Sequence, residues 1–264
     1  MFRYILSEAY TLVAGNIGVT LRIAGAWMAI GMLLSLGEAA TEGTSIGTAF
    51  SLAAFLWALL SNASIATAWY RFGLLNERPG LIHLRFGRLE LKVLWRIWLA
   101  VIAILPALML IIVLIFSASW IINLRLDVFH TKPSAISFMI FLIVILITNY
   151  LNFRFYFIVP GTAVGHHIKL AKSFEMTRKI AAPLAIIGTL AFIPSTVFYW
   201  ISYDNTFLIG NFLHPLKEFF FITIRSSIDY LGISMTFAAV TVAYRRAIET
   251  LWAENPNDPV FVGS

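Results

Sequence analysis

"VIAILPALMLIIVLIFSASWII", residues 101–122, runs without a single charged side chain. About 20 apolar residues in a helix cross the hydrocarbon layer of a bilayer. This stretch meets that length, and it extends back to Val93 as a run from Val93 to Ile122. Five further runs read the same way: Ile17–Leu36, Ile46–Tyr70, Ile136–Val159, Ala181–Ser202 and Phe219–Tyr244. Leu, Ile, Phe and Ala dominate them, and the alternation of a membrane β-barrel strand is missing. The expected fold is therefore all-α: one integral membrane domain over residues 1–264, a polytopic bundle of six transmembrane helices.

Composition agrees. Sixty per cent of the chain is hydrophobic and 12% is charged, against roughly 25% charged residues in soluble domains. Basic loops facing anionic lipid heads account for the +6 balance more simply than nucleic acid does. No cysteine is present, which excludes disulfides and thiolate chemistry. "MFRYILSEAYTLVAG" does not read as a secretory signal, because Glu8 interrupts it before any continuous apolar core.

Charge also orients the chain. Of the Lys and Arg residues, all but Arg125, Lys132, Lys217 and Arg225 fall in the N-terminal, C-terminal and even-span-exit segments. The positive-inside rule then places both termini in the cytoplasm. The first outer loop, "GEAATEGTSIG", carries Glu38 and Glu42 and no basic residue. Trp69, Trp95, Trp120 and Trp200 stand near predicted span ends, where interfacial aromatics gather.

The cytoplasmic segments share a layout. Each even span ends in aromatics beside Arg: "AWYRF" at 68–72, "NFRFY" at 152–156 and "VAYRR" at 242–246. Each odd span follows a mixed polar and apolar stretch: "FRYILSEAYTLVAGN", "LIHLRFGRLELKVLWR" and "HHIKLAKSFEMTRKI". The layout reads as three repeated hairpins, each prefaced by a short amphipathic cytoplasmic helix. In the first preface Phe2, Ile5, Leu6, Ala9, Leu12 and Val13 share a face, opposite Arg3, Ser7, Glu8 and Thr11. Such a helix is expected to lie flat on the bilayer. In the second, Arg85, Arg88, Lys92 and Arg96 form a basic stripe; in the third, Lys169 and Lys172 sit one turn apart. Anchoring at the interface explains these residues, and a lipid-head or protein-partner site is the sharper reading. Pro106 and Pro194 fall inside spans and are expected to bend them.

Motifs for catalysis are missing: no phosphate loop, no HExxH, no GxSxG. His83, His130, His166, His167 and His214 fall in loops or at span edges. Adjacent His166 and His167 point about 100° apart on a helix and do not share a metal. The reading is a non-enzyme with no metal and no cofactor. What remains is the polar content of the spans: Ser61, Asn62, Ser64 and Thr67 in the second, Asn149 and Asn152 in the fourth, Arg225, Ser226, Ser227, Asp229 and Thr236 in the sixth. Ala54, Ala58, Asn62 and Ala66 recur at four-residue spacing, which suits close helix approach. Arg225 and Asp229 stand at i, i+4 and are expected to pair, facing the other helices.

"KSFEMTRKIAAPL" at 172–184 carries a Ser-aromatic-x-x-Thr-basic signature in Ser173, Phe174, Thr177 and Arg178. With this stretch the chain resembles six-helix bacterial inner-membrane proteins of the YciC-like group. It also resembles the membrane domain attached to some glycerophosphodiester phosphodiesterases. "AWYRFGLLNERP" and "RFGRLELKVLWR" look like membrane proteins of alphaproteobacteria. The resemblance implies the six-helix architecture. The phosphodiesterase activity does not carry over, because no such catalytic domain is present. Two functions follow as expectations. The first is a non-enzymatic accessory or structural protein that meets lipids, other membrane proteins or its own copies. The second is a small-molecule or ion transporter using the polar groups of spans two, four and six.

Overall fold

The computed structural model describes the backbone of residues 1–41, 43–121, 135–204 and 214–254, and the side chains of 1–41, 43–113, 142–198 and 219–253. Glu42, Trp120, Arg125, His130, Lys132, Trp200, His214 and Lys217 lie outside the described side chains.

The described residues form helices and no strand. In chain order they are α1 (Phe2–Ala14), α2 (Ile17–Ala40), α3 (Ser45–Leu75), α4 (Arg88–Ile121), α5 (Ala135–Phe155), α6 (Ile158–Ala163), α7 (Leu170–Met176), α8 (Ala181–Asp204) and α9 (His214–Glu254). Five are long and apolar enough to cross a membrane: α2, α3, α4, α8 and α9. The fourth predicted run becomes α5, whose described apolar part is Leu142–Phe155, and its last residues turn into α6. Both α4 and α8 continue through their prolines.

Local signals set several boundaries. Thr44 caps α3 by accepting the Gly47 N–H on its hydroxyl at 3.1 Å. At the other end Asn76 takes the left-handed conformation at φ 56°, a common helix stop. Gly87 precedes α4, and the Glu90 carboxylate reaches back to its N–H at 2.7 Å, half of a capping box.

α9 is the hub, packing against α1, α2, α3, α6 and α8. Gly232 permits one of these approaches: a Cβ there would stand 2.6 Å from the Ala191 carbonyl oxygen of α8. α2 and α3 pair through Trp57, whose indole donates to the Trp27 carbonyl at 2.9 Å while the two rings lie 4.5 Å apart. The core concentrates at the end of the bundle that carries the N-terminus, the α3–α4 and α5–α8 connections and the last turns of α9. Trp69, Tyr70, Phe157 and Tyr244 are buried there. This end also holds most of the described Lys and Arg, and is called the basic end below.

Three expectations change. The apolar face of α1 packs on protein: Ile5, Ala9 and Val13 are buried, mainly against α9. α9 offers a dry apolar face there, so α1 covers it. Residues 76–87 are not helical, so the expected helical preface before α4 is missing over this stretch. The left-handed Asn76 and the Pro79–Gly80 pair break the helical pattern that the later apolar residues suggest. Trp69 is buried in the core, whereas Trp95 is exposed as an interfacial aromatic should be.

Candidate functional site

The basic end is held by polar groups fastened to helix termini. A helix leaves its last four carbonyls without partners. At the end of α5, the Arg154 carbonyl accepts the Thr177 hydroxyl at 2.9 Å and the Ser173 hydroxyl at 3.3 Å. Ser173 also accepts the Phe157 N–H at 3.1 Å. Both hydroxyl residues are fully buried. The Arg154 guanidinium lies over the Phe174 ring, 3.6 Å from its centroid, in a cation–π contact. The Ser-aromatic-x-x-Thr signature thus closes α5 with a segment about 20 residues further along the chain.

The two other aromatic-Arg pairs act in the same sense. Arg245 on α9 donates to the Gly73 carbonyl near the end of α3. Arg71 on α3 donates to the Ala163 carbonyl at the end of α6, at 3.0 Å, and grips both Glu77 carboxylate oxygens, one at 2.7 Å. That grip holds the Glu77 carboxyl below its ordinary range. A third cross-tie joins His166 Nδ1 to the Tyr244 hydroxyl at 2.9 Å, and burial pushes the His166 imidazole down from its ordinary value. Guanidinium donors on terminal carbonyls satisfy orphan acceptors and offset the negative end of the helix dipole.

The α3–α4 connection is pinned from the protein side. Ser64, buried on α3, donates to the Arg85 carbonyl at 2.7 Å, and the His83 N–H donates to the Arg22 carbonyl at 3.2 Å. Burial pushes the His83 imidazole down, against an opposing pull from Glu90. Glu90 is itself buried, with Arg85 Nε 3.9 Å away.

The predicted basic stripe is divided. Arg88, Lys92 and Arg96 lie on α4 at i, i+4 and i+8, with Arg88 and Lys92 exposed, while Arg85 belongs to the connection. Lys169 stands at the start of α7, and Lys172 pairs with Glu175 at 3.8 Å.

The polar groups of the spans occupy separate places. Asn149 donates to the Thr189 hydroxyl at 3.0 Å and joins α5 to α8. Asn152, near the end of α5, leaves its buried Oδ1 without a partner. Arg225 and Asp229 do pair, at 3.8 Å, with side chains 46% and 34% exposed. Asn62 donates to the Ala58 carbonyl of its own helix at 2.9 Å and lines a cavity of about 270 Å³. Trp98, Tyr156, Phe192, Thr236 and Phe237 line the same space, whose walls are chiefly apolar. Asn149 and the Arg225–Asp229 pair are not among its lining residues.

Sequence reasoning passed over the carbonyl latches. The available signal was the recurrence of Arg beside aromatics at every even-span exit. Among the described residues no group of three His, Asp or Glu gathers to hold a metal. Comparison with protein-family models, with curated proteins and with solved structures gives no match.

Proposed function

We propose that this chain is a non-enzymatic, multi-pass protein of the bacterial inner membrane, serving as an accessory or structural subunit that engages membrane lipid. The observation that carries this reading is the latching at the basic end. Arg71, Arg245, Ser173 and Thr177 are spent on helix-end carbonyls. Polar groups committed to tying helices together favour a fixed scaffold. Exposed Arg88, Lys92 and Lys169 supply the positive surface that anionic lipid heads meet.

Six crossings, with both termini cytoplasmic, are part of the proposal. α4 starts at the basic end beside Ser64, and α8 starts there too, just after Thr177. A chain that leaves along α4 and reappears before α8 needs a returning crossing, and α5 is the segment available. Its 21 residues give about 31 Å at 1.5 Å per residue, enough for the hydrocarbon core. The three hairpins α2–α3, α4–α5 and α8–α9 would then be a repeated unit with a diverged second preface.

The test is native mass spectrometry of protein released gently from the membrane. Stoichiometric anionic phospholipid, a bound membrane protein or a second copy is expected. A lipid-free, partner-free monomer that still performs its cellular role would refute the reading. A transporter is the second reading, favoured by the cavity around Asn62 and Thr236. Solute or ion flux into proteoliposomes that Asn62→Leu abolishes without unfolding the protein would decide for it.

A further inference from the structure

The α3–α4 connection shows four large apolar side chains in six residues. Leu81 is 79% exposed, Ile82 71%, Leu84 46% and Phe86 40%. Connecting segments in water are normally polar, and clustered apolar exposure calls for a covering phase. This segment is held in place, because Ser64, the Arg22 carbonyl and Glu90 fasten its backbone from behind. The side chains therefore project from an anchored support.

Its charge is one-sided. Arg78, Arg85 and Arg88 flank the apolar residues, and the Arg85 side chain is 77% exposed. Of the neighbouring acids, Glu77 is taken by Arg71, and Glu90 is buried, 3.9 Å from the Nε of Arg85, whose side chain stays mostly exposed. Further along, on α4, Leu91 and Trp95 are exposed at 57% and 59% beside exposed Lys92. Interleaved apolar and cationic groups at the start of an exposed membrane helix match the headgroup–acyl boundary of an anionic leaflet.

We propose that residues 81–86 form an interfacial anchor. Leu81, Ile82, Leu84 and Phe86 enter the boundary of an anionic leaflet, while Arg78, Arg85 and Arg88 meet lipid phosphates. The proposal rests on the lipid-engaging reading above and assigns it to one element.

The chain has no cysteine, so single sites can be labelled without further changes. Ile82→Cys and Leu84→Cys, with Thr250→Cys as an exposed control on α9, would each carry an environment-sensitive fluorophore. The full-length protein is reconstituted in phosphatidylcholine vesicles with and without phosphatidylglycerol. Quenching by aqueous iodide is compared with quenching by a spin label near the lipid headgroup. The expected result is several-fold protection from iodide at 82 and 84 relative to 250, strongest with phosphatidylglycerol. Replacing Arg78, Arg85 and Arg88 with Gln is expected to shift the inserted-to-free ratio by about a hundred-fold. High salt on the unaltered arginines gives the same direction and keeps the test open if the triple variant does not fold. Iodide access at 82 and 84 equal to that at 250 overturns the proposal. So does protection indifferent to phosphatidylglycerol, to salt and to the three arginines, or protection that appears only with a co-purifying protein. Retained phospholipid by mass spectrometry alongside freely quenched labels would refute this segment and leave the broader reading standing.

Discussion

The Thr177 hydroxyl reaches back 23 residues to a carbonyl that α5 cannot satisfy itself. Arg154 O has two hydroxyl donors, so losing one is softened by the other. Thr177→Val keeps the side-chain volume and removes the donor. It is expected to cost about 0.5–1.5 kcal/mol, the net worth of one hydrogen bond whose acceptor keeps a second donor. Thr177→Ser should recover most of that. Adding Ser173→Ala to Thr177→Val should cost more than the separate losses combined, because the carbonyl then has neither hydroxyl. Thermal unfolding in a mild detergent reads these proteins together with Ser173→Ala alone; equal stability of Thr177→Val and the parent would mean the bond contributes nothing. Arg225 and Asp229 show the limit of reading at this scale. Their pairing follows from i, i+4 spacing, which is local. The direction in which the pair points depends on how α9 is rotated against its neighbours, and packing sets that rotation.

Among the elements, long apolar runs were the legible part. Five of the six predicted spans correspond to helices that meet the length and hydropathy of a crossing, within a few residues at most ends. α5 is the element to test. Single cysteines at Ala40, Gly80 and His167 can be probed with an impermeant maleimide in intact spheroplasts. Six crossings predict labelling at Ala40 and protection at Gly80 and His167. Labelling of His167 from outside would remove α5 from the set of crossings. The connection at 76–87 was not legible as an irregular segment, because Leu81, Leu84 and Leu91 mimic a helical stripe. The bonds that hold it come from Arg22 and Ser64 on other helices. Asn76 and Pro79–Gly80 were the signals that outweighed the apolar spacing.

At the scale of the molecule, the parts that sequence could not supply are the long-range ones. Composition places the chain in lipid, yet nothing local says that α9 is the hub or that Arg245 closes α3. α9 has 41 residues and is about 60 Å long, roughly twice the hydrocarbon thickness, so part of the hub stands clear of lipid. The hub is also made late. About 200 residues separate the end of α1 from the start of α9, and at roughly 5–20 residues per second the ribosome needs on the order of 10–40 s to supply them. For that interval the nascent α1 lacks its main partner for Ile5, Ala9 and Val13, and the membrane surface is an apolar phase close at hand. The amphipathic pattern that the finished protein hides is then a parking place for an unfinished one. Ribosome-arrested chains should show it: with α9 still untranslated, a fluorophore on Leu6→Cys, a partly buried position on the same face, reports lipid, and once α9 has emerged from the tunnel the same probe loses access to lipid-borne quenchers. A probe shielded from those quenchers at both lengths would mean that α1 waits elsewhere.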